Sequence, residues 1–297
     1  MENTSTYTKP FLKWAGNKFR IIDKVMAEIV ANKGERKHYV EPFAGSGAIL
    51  INLGDIFSTR VYSDYNQDLV HLFRHIQGNY KELSNEVEKL FDQSNNVEEQ
   101  FYILRKEFND LRKKTTSETS IRKSALFIYL NRHCFNGLCR YGPNGFNVPF
   151  GRYKTTNPPV AEILAVYQKI KSGVTIKSGD FQAIIDECDE GTLIYCDPPY
   201  FPLSATSSFT QYSSGDDFGK ESQERLAVAA KKAASRGAVV LISNHSVEAC
   251  RDLYKSMADE RISVNIENQF DVNRFISAKS SGRGKPSPEL IAVFKRI

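Results

Sequence analysis

The sequence predicts an α/β fold in which one largely parallel sheet is interrupted by an inserted, basic, mostly helical segment. Three observations point there. A strand, a glycine turn, a helical stretch and a second strand follow one another over residues 38–64, and a strand–helix–strand pattern returns over 192–244. Between the two, residues 68–128 carry the Glu-, Lys- and Leu-rich spacing of long amphipathic helices.

The elements follow in order. His38-Tyr39-Val40-Glu41 is a short apolar strand that breaks at Pro42 into Ala44-Gly45-Ser46-Gly47, and residues 48–53 then read as helix. Arg60-Val61-Tyr62-Ser63-Asp64 is a second strand with its acid at the carboxyl end. Residues 134–153 are dense in Gly, Asn, Pro and aromatics, as a hairpin with irregular arms would be. Residues 192–197 form a strand ending on Pro198-Pro199, residues 221–235 a helix, and residues 238–244 another strand.

The chain has 297 residues, 41% hydrophobic and 25% charged, enough apolar material for a sizeable core. No stretch reaches the roughly 20 apolar residues that a membrane helix requires, and the first six residues lack a signal pattern. A cytoplasmic protein without a membrane association is expected. The five cysteines are scattered and contain no Cys-x-x-Cys pair, so reduced thiols are expected rather than disulfides. His133 and His245 have no partner at metal-ligand spacing, and no metal is implied. The formal charge of +5 says little, but its distribution says more. Between Glu118 and Glu162 there is no acidic residue, whereas Arg122, Lys123, Arg132, Arg140, Arg152 and Lys154 all fall there. Such a block would concentrate positive potential on one surface, as a phosphate-binding face requires.

Two motifs carry chemistry. In Glu41-Pro42-Phe43-Ala44-Gly45-Ser46-Gly47, glycines at a strand end would let the backbone approach a bound cofactor with no Cβ in the way. A dinucleotide fingerprint would place a third glycine at position 50, where Leu50 stands, which disfavours NAD. Asp64 could then take ribose hydroxyls, although a plain tight turn with a surface acid is the alternative. Asp197-Pro198-Pro199-Tyr200 is more specific. An amino group conjugated to a ring is a poor nucleophile, and activating it needs fixed acceptors for its N–H bonds. A carboxylate and a proline-exposed carbonyl supply two, and Tyr200 offers a face on which an extruded base can stack.

On these residues the chain resembles the Dam-type, alpha-class DNA adenine N6-methyltransferases. The likeness runs through Phe11-Leu12-Lys13-Trp14-Ala15-Gly16-Asn17-Lys18, residues 41–47, 131–153 and 197–205, and Leu241-Ile242-Ser243-Asn244-His245, with the glycine motif preceding the Asp-Pro-Pro-Tyr motif. Asn17 stands where that family commonly has a second glycine. The resemblance implies a Rossmann-like S-adenosylmethionine-dependent methyltransferase sheet formed by 1–68 and 161–297, with 69–160 as an inserted, mostly helical DNA-recognition domain carrying a β-hairpin. It implies Asp197, Pro198, Pro199 and Tyr200 as catalytic. Trp14, Lys18, Glu41, Pro42, Phe43, Gly45, Gly47, Asp64, Asp180, Phe181 and Asp197 would hold S-adenosylmethionine, released as S-adenosylhomocysteine.

By the same resemblance Lys13, Arg132, Phe135, Asn136, Leu138, Arg140, Pro149, Arg152 and Tyr153 would contact double-stranded DNA. An Arg can bond guanine O6 and N7 together, and Leu or Pro can touch a thymine methyl. Phe135 would wedge near a flipped base, and 5′-GATC-3′ is the implied site. Core packing for Trp14, a solvated cation for Lys18, and hairpin core for the aromatics are the structural alternatives. Lys279-Ser280-Ser281-Gly282-Arg283-Gly284-Lys285 reads as a basic loop able to hold phosphates. No obligate protein partner is evident, and nucleoid association is expected. A longer GAT-containing site, an amino methyltransferase acting on cytosine N4, RNA or a protein amide, and a catalytically silent DNA-binding protein are the competing functions.

Overall fold

A computed structural model describes residues 7–114, 120–202, 218–273 and 286–297. The basic loop expected at 279–285, and residues 203–205 of the Asp-Pro-Pro-Tyr block, lie outside the described residues.

Seven strands form the main sheet: β1 (His38–Glu41), β2 (Thr59–Asp64), β5 (Val174–Ser178), β6 (Thr192–Cys196), β7 (Val239–His245), β8 (Ile262–Asn273) and β9 (Pro286–Arg296). Their order is β5-β2-β1-β6-β7-β9-β8, parallel from β5 through β7, with β9 antiparallel to both of its neighbours. From β1 the chain first builds outward through β2 and β5, then returns to place β6 on the other side of β1. The crossovers therefore diverge between β1 and β6, opening a crevice beyond their carboxyl ends, where α/β sheets bind ligands.

Both faces of the sheet are covered, as a parallel sheet requires. Tyr39, Leu193, Tyr195, Val239 and Leu241 enter one apolar core, while the alternating Val40, Ile194, Cys196, Val240 and Ile242 enter the other. The first core runs without a break into the helical insertion, taking in Phe73, Phe101, Phe108 and Phe127.

The insertion is built on α2 (Gln67–Leu90), α3 (Glu98–Lys113) and α4 (Ile121–His133). Asn66 caps α2 by accepting from the Asp68 and Leu69 amides. The expectation of amphipathic helices holds for α2 and α3. It fails for α4, where residues 123–131 are all buried: Ala125-Leu126-Phe127-Ile128-Tyr129-Leu130 is apolar all round and fills the centre of the insertion. α2 runs through residue 69 without a break, so no linker separates the sheet from the insertion there.

The helix expected at 48–53 is instead two short 3₁₀ turns, Leu50–Asn52 and Gly54–Ile56. The Asn52 amide donates to the Ala48 and Thr8 carbonyls, and its oxygen accepts from the Thr8 amide. A side chain so engaged offers the backbone an alternative to helix, and Gly54 at φ +56° ends the run.

The hairpin at 134–153 is shorter than its sequence span. A 3₁₀ turn, Phe135–Gly137, precedes two-residue strands β3 (Tyr141–Gly142) and β4 (Gly145–Phe146), and a single bridge joins Cys134 to Phe150. The remaining helices are α1 (Ile22–Lys33), α5 (Val160–Ile170), α6 (Phe181–Asp186), α7 (Lys220–Ser235) and α8 (Glu248–Lys255). All five cysteines are free thiols. Among the described residues, no helix is long and apolar enough to cross a membrane.

Candidate functional site

The carboxyl ends of β1, β2 and β6 bring together residues that the sequence scatters over almost two hundred positions. Asp64 closes β2 and turns its carboxylate back on the glycine turn: Oδ2 accepts from the Gly45 amide at 2.8 Å and Oδ1 from the Asn66 amide at 2.8 Å. Burial lifts its carboxyl to about 6, the backbone donors of Asn66, Gly45 and Tyr65 holding it lower than burial alone would. Glu41, at the end of β1, is buried and accepts from the Tyr39 hydroxyl at 3.1 Å; burial raises it well above the ordinary carboxylate range.

The glycines are needed here for a reason besides the cofactor approach that the sequence suggested. Gly45 and Gly47 both have positive φ, +50° and +71°, and a Cβ on Gly45 would stand 2.8 Å from Trp14 Nε1, one on Gly47 3.1 Å from the Phe73 ring. The chain's own packing, before any ligand, demands glycine at both positions. Trp14 thus lies against the glycine turn.

Lys18 reaches the other strand. Its ammonium pairs with Asp197 Oδ1 at 2.8 Å, donates to the Gly16 carbonyl at 2.9 Å, and sits 4.6 Å from the centre of the Tyr200 ring. Burial raises Asp197 above the ordinary carboxylate range, and the Lys18 charge opposes it. Within residues 13–18, then, one loop touches the glycine turn through Trp14, the Asp197 carboxylate through Lys18 and the hairpin segment through Lys13. The Lys13 amide donates to Asn131 Oδ1 at 2.9 Å, the Asn131 amide returns a bond to the Lys13 carbonyl at 2.7 Å, and the Lys13 ammonium lies 4.1 Å over the Tyr153 ring.

A buried frame that the sequence did not disclose fixes the Asp-Pro-Pro-Tyr turn. Gln223 of α7 donates to the Pro199 carbonyl at 2.7 Å. Asn244, fully buried near the end of β7, accepts from the Phe201 and His245 amides, each at 2.9 Å, and donates to Gln223 Oε1 and the Tyr254 hydroxyl. The Tyr200 hydroxyl donates to Glu289 of β9 at 3.0 Å, and its ring meets the edge of His245 at 4.7 Å. His245, expected to line the cleft, is buried and packs against the Tyr200 ring. Only Asn244 and His245 carried a signal in the sequence, as polar residues ending an apolar strand. Nothing local marked Gln223, Tyr254 or Glu289.

At the outer side of the crevice Phe43 stacks on Phe181 with ring centres 5.3 Å apart. Asp180 caps α6 by accepting from the Gln182 amide and pairs with Arg225 at 2.9 Å. Pro42 continues the turn from Glu41, and Pro198 is buried.

The hairpin residues divide. Phe135 is 46% exposed and its amide donates to the Pro149 carbonyl. Asn136, at φ +56°, donates its amide to the Tyr153 hydroxyl, and Leu138 packs on the core edge. Arg140 is exposed and its Nε donates to Asn147 Oδ1 at 2.7 Å. Arg132 is mostly buried and faces Glu162 at 3.7 Å, whereas Arg152, at φ +54°, is exposed and pairs with Glu98 at 2.9 Å. His133 is buried and stacked on Tyr129, a core residue of α4.

The acid-free block is less positive than its sequence suggests. Four of its six cations meet acids from outside the block: Arg122 with Glu107, Lys123 with Asp68, Arg132 with Glu162 and Arg152 with Glu98. The fold supplies the counterions that local sequence lacked.

The chain is 36% identical over 277 residues to the DNA adenine methylase of Serratia marcescens, an alignment covering 91% of this chain and 97% of that one. It is 36% identical over 288 residues to the DNA adenine methylase of Escherichia coli strain K12, covering 97% and 95%. It is likewise 36% identical over 279 residues to the DNA N-6-adenine-methyltransferase of Escherichia phage P1, covering 94% of this chain and 34% of that one. The family model for D12 class N6 adenine-specific DNA methyltransferases matches residues 14–269, which reaches from Trp14 through the glycine turn, the hairpin and the Asp-Pro-Pro-Tyr turn into β8. The chain belongs to the D12 class of N6 adenine-specific DNA methyltransferases.

Proposed function

We propose that this protein transfers a methyl group from S-adenosylmethionine to N6 of an adenine flipped out of duplex DNA, within 5′-GATC-3′. The observation that carries the reading is that a Lys18-held carboxylate, Asp197, and the glycine turn stand at the same end of the paired strands β6 and β1. Methyl donor and amine acceptor would thereby share one crevice.

The residues present suit S-adenosylmethionine. Asp64 offers a carboxylate fixed by two backbone amides, Trp14 lies on the glycine turn, and the Phe43–Phe181 stack beside Asp180 gives a flat apolar surface next to an acid. These residues, with Lys18, Glu41, Pro42, Gly45 and Gly47, would hold the cofactor, which supplies an electrophilic methyl group. The chain's own part is to hold the amine. Asp197 accepts one N–H. Gln223 occupies the Pro199 carbonyl, so of the two proline carbonyls Pro198's is the second acceptor. Tyr200, steadied by Glu289 and His245, stacks on the base. The Lys18 charge opposes the upward push of burial on Asp197 and so favours its ionised form, and the carboxylate can take the proton that the methylated amine sheds.

DNA recognition falls to residues 69–160. Arg140 reads a guanine, with Leu138, Pro149 and Tyr153 on neighbouring bases, Lys13 on the outer guanine, Phe135 wedged into the stack, and Asn136, Arg132 and Arg152 completing the contact. The product cofactor is S-adenosylhomocysteine; no metal takes part, and no obligate protein partner or membrane association is invoked. A cytoplasmic, nucleoid-associated location follows from the substrate.

Transfer of labelled methyl to GATC-containing duplex, followed by digestion to nucleosides, tests the reading, with N6-methyladenine as the expected product. Asp197→Ala should abolish transfer while the circular dichroism spectrum stays that of the wild type, the melting temperature falling because the buried Lys18 loses its partner. Label in N4-methylcytosine, or robust activity of Asp197→Ala, would overturn it.

A further inference from the structure

Asp68 lies in the first turn of α2 with a side chain only 2% exposed, yet it is the meeting point of three other elements. Its Oδ2 accepts from Arg112 Nε of α3 at 2.7 Å and from the Tyr141 hydroxyl of β3 at 2.8 Å, and its Oδ1 pairs with Lys123 of α4 at 3.0 Å. The Arg112 guanidinium also lies 4.3 Å over the Tyr141 ring, and that ring meets Phe146 edge-on at 5.9 Å. A buried carboxylate is tolerated when it is paired and hydrogen-bonded, and here each oxygen is engaged.

The position of this cluster matters. Tyr141 is the residue after Arg140, in a strand only two residues long. So short a hairpin cannot hold its own geometry. Among the described residues, Arg140 is held on its outward side by Asn147, whose oxygen takes Arg140 Nε and whose amide donates to the Arg140 carbonyl. Inward, α3 holds the far side of the hairpin, Asn109 bonding the Phe146 amide and carbonyl and Arg105 the Val148 carbonyl, while on the strand next to Arg140 the polar anchor is Tyr141 on Asp68. Asp68 is in turn fixed to the sheet, since its amide donates to Asn66 Oδ1 at 3.0 Å and the Asn66 amide donates to Asp64 Oδ1 at 2.8 Å.

We infer that Asp68 and Tyr141 are positioning residues for sequence discrimination: the buried carboxylate holds the tyrosine hydroxyl, and through it sets the aim of Arg140 at its base pair. The inference rests on the proposed reading of Arg140 as the guanine contact. A bidentate contact to O6 and N7 is directional, so a hairpin that rocks by an ångström loses discrimination before it loses phosphate contacts.

Asp68→Asn strips Arg112 and Lys123 of their shared counterion and is expected to lower the melting temperature strongly, so Tyr141→Phe is the informative variant: it removes one hydroxyl and keeps every ion pair. The experiment measures kcat/KM on GATC duplex and on duplexes with each base pair of the site substituted in turn, together with KM for S-adenosylmethionine and the melting temperature. The expected result for Tyr141→Phe is a loss of about five- to tenfold in preference, confined to the base pair whose discrimination Arg140→Ala also removes, with KM for S-adenosylmethionine unchanged. A lowered melting temperature with preference unchanged, or an equal fall on all duplexes, would show a merely structural hydroxyl and overturn the inference. If Arg140→Ala itself leaves preference unchanged, the assignment of Arg140 is wrong and the inference falls with it. If Arg140→Ala relaxes preference and Tyr141→Phe does not, the inference alone is wrong.

Discussion

Asp64 binds its neighbours and titrates in opposite directions. Burial raises its folded-state carboxyl from 3.8 to about 6, so between those values the folded chain holds a proton that the unfolded chain has released. The contribution of this group to stability is therefore greatest below the unfolded value and is lost as pH rises through about 6. Cofactor binding needs the ionised acceptor and runs the other way. Affinity for S-adenosylmethionine is expected to fall as pH drops through about 6, and Asp64→Asn should bind weakly at every pH with that inflection gone. Calorimetric titration from pH 5 to 8 decides; a wild-type affinity flat across the range would refute the role. Melting curves of the two proteins over the same pH range should show wild type gaining stability relative to Asp64→Asn as pH is lowered.

At the scale of elements, two short connections carry the site, and each is held by packing rather than by its own propensity. Gly45→Ala forces an alanine into φ +50° with its Cβ 2.8 Å from Trp14 Nε1. A cost of about 1–3 kcal/mol in urea unfolding is expected, with weakened cofactor binding as Trp14 is pushed off the turn. The Asp-Pro-Pro-Tyr turn depends on Asn244, which serves two backbone amides and two side chains from a fully buried position. Asn244→Leu leaves those donors and acceptors unpaired, and a loss of roughly 2–4 kcal/mol is expected. Its kcat should fall at least about tenfold while cofactor affinity holds, because the turn and not the cofactor cradle is released. Equal loss in both would mean that the whole crevice had collapsed.

For the molecule as a whole, charge is the property that folding rearranged most. Arg122 is half-buried and bonded through two nitrogens to Glu107, whereas Arg152 is 76% exposed and paired with an exposed Glu98. An exposed pair is worth little and yields readily to a phosphate. Each phosphate neutralised steepens the fall of log affinity with log salt by about 0.9. Arg152→Ala is therefore expected to flatten that slope by about one, and Arg122→Ala to leave it unchanged, in anisotropy titrations of a GATC duplex at several salt concentrations. Equal effects from the two would mean that the free-state ion pairs do not govern which cations meet DNA.

What the sequence determined by itself was what neighbouring residues decide together. Strand β1 breaking into Gly45 and Gly47, β2 ending on Asp64, and β6 ending on Asp197-Pro198-Pro199-Tyr200 all depend on backbone preferences that act over a few residues, and all were legible there. The helix expected after Gly47 was not, because Asn52 bonds to Thr8, 44 residues away. The tertiary structure alone decided which polar groups meet: Tyr200 with Glu289 across 89 residues, Gln223 with Pro199, and Asp68 with Arg112, Lys123 and Tyr141. Removed from water, each of these groups must find a partner wherever the packing of apolar elements has placed one, and no local pattern encodes that address.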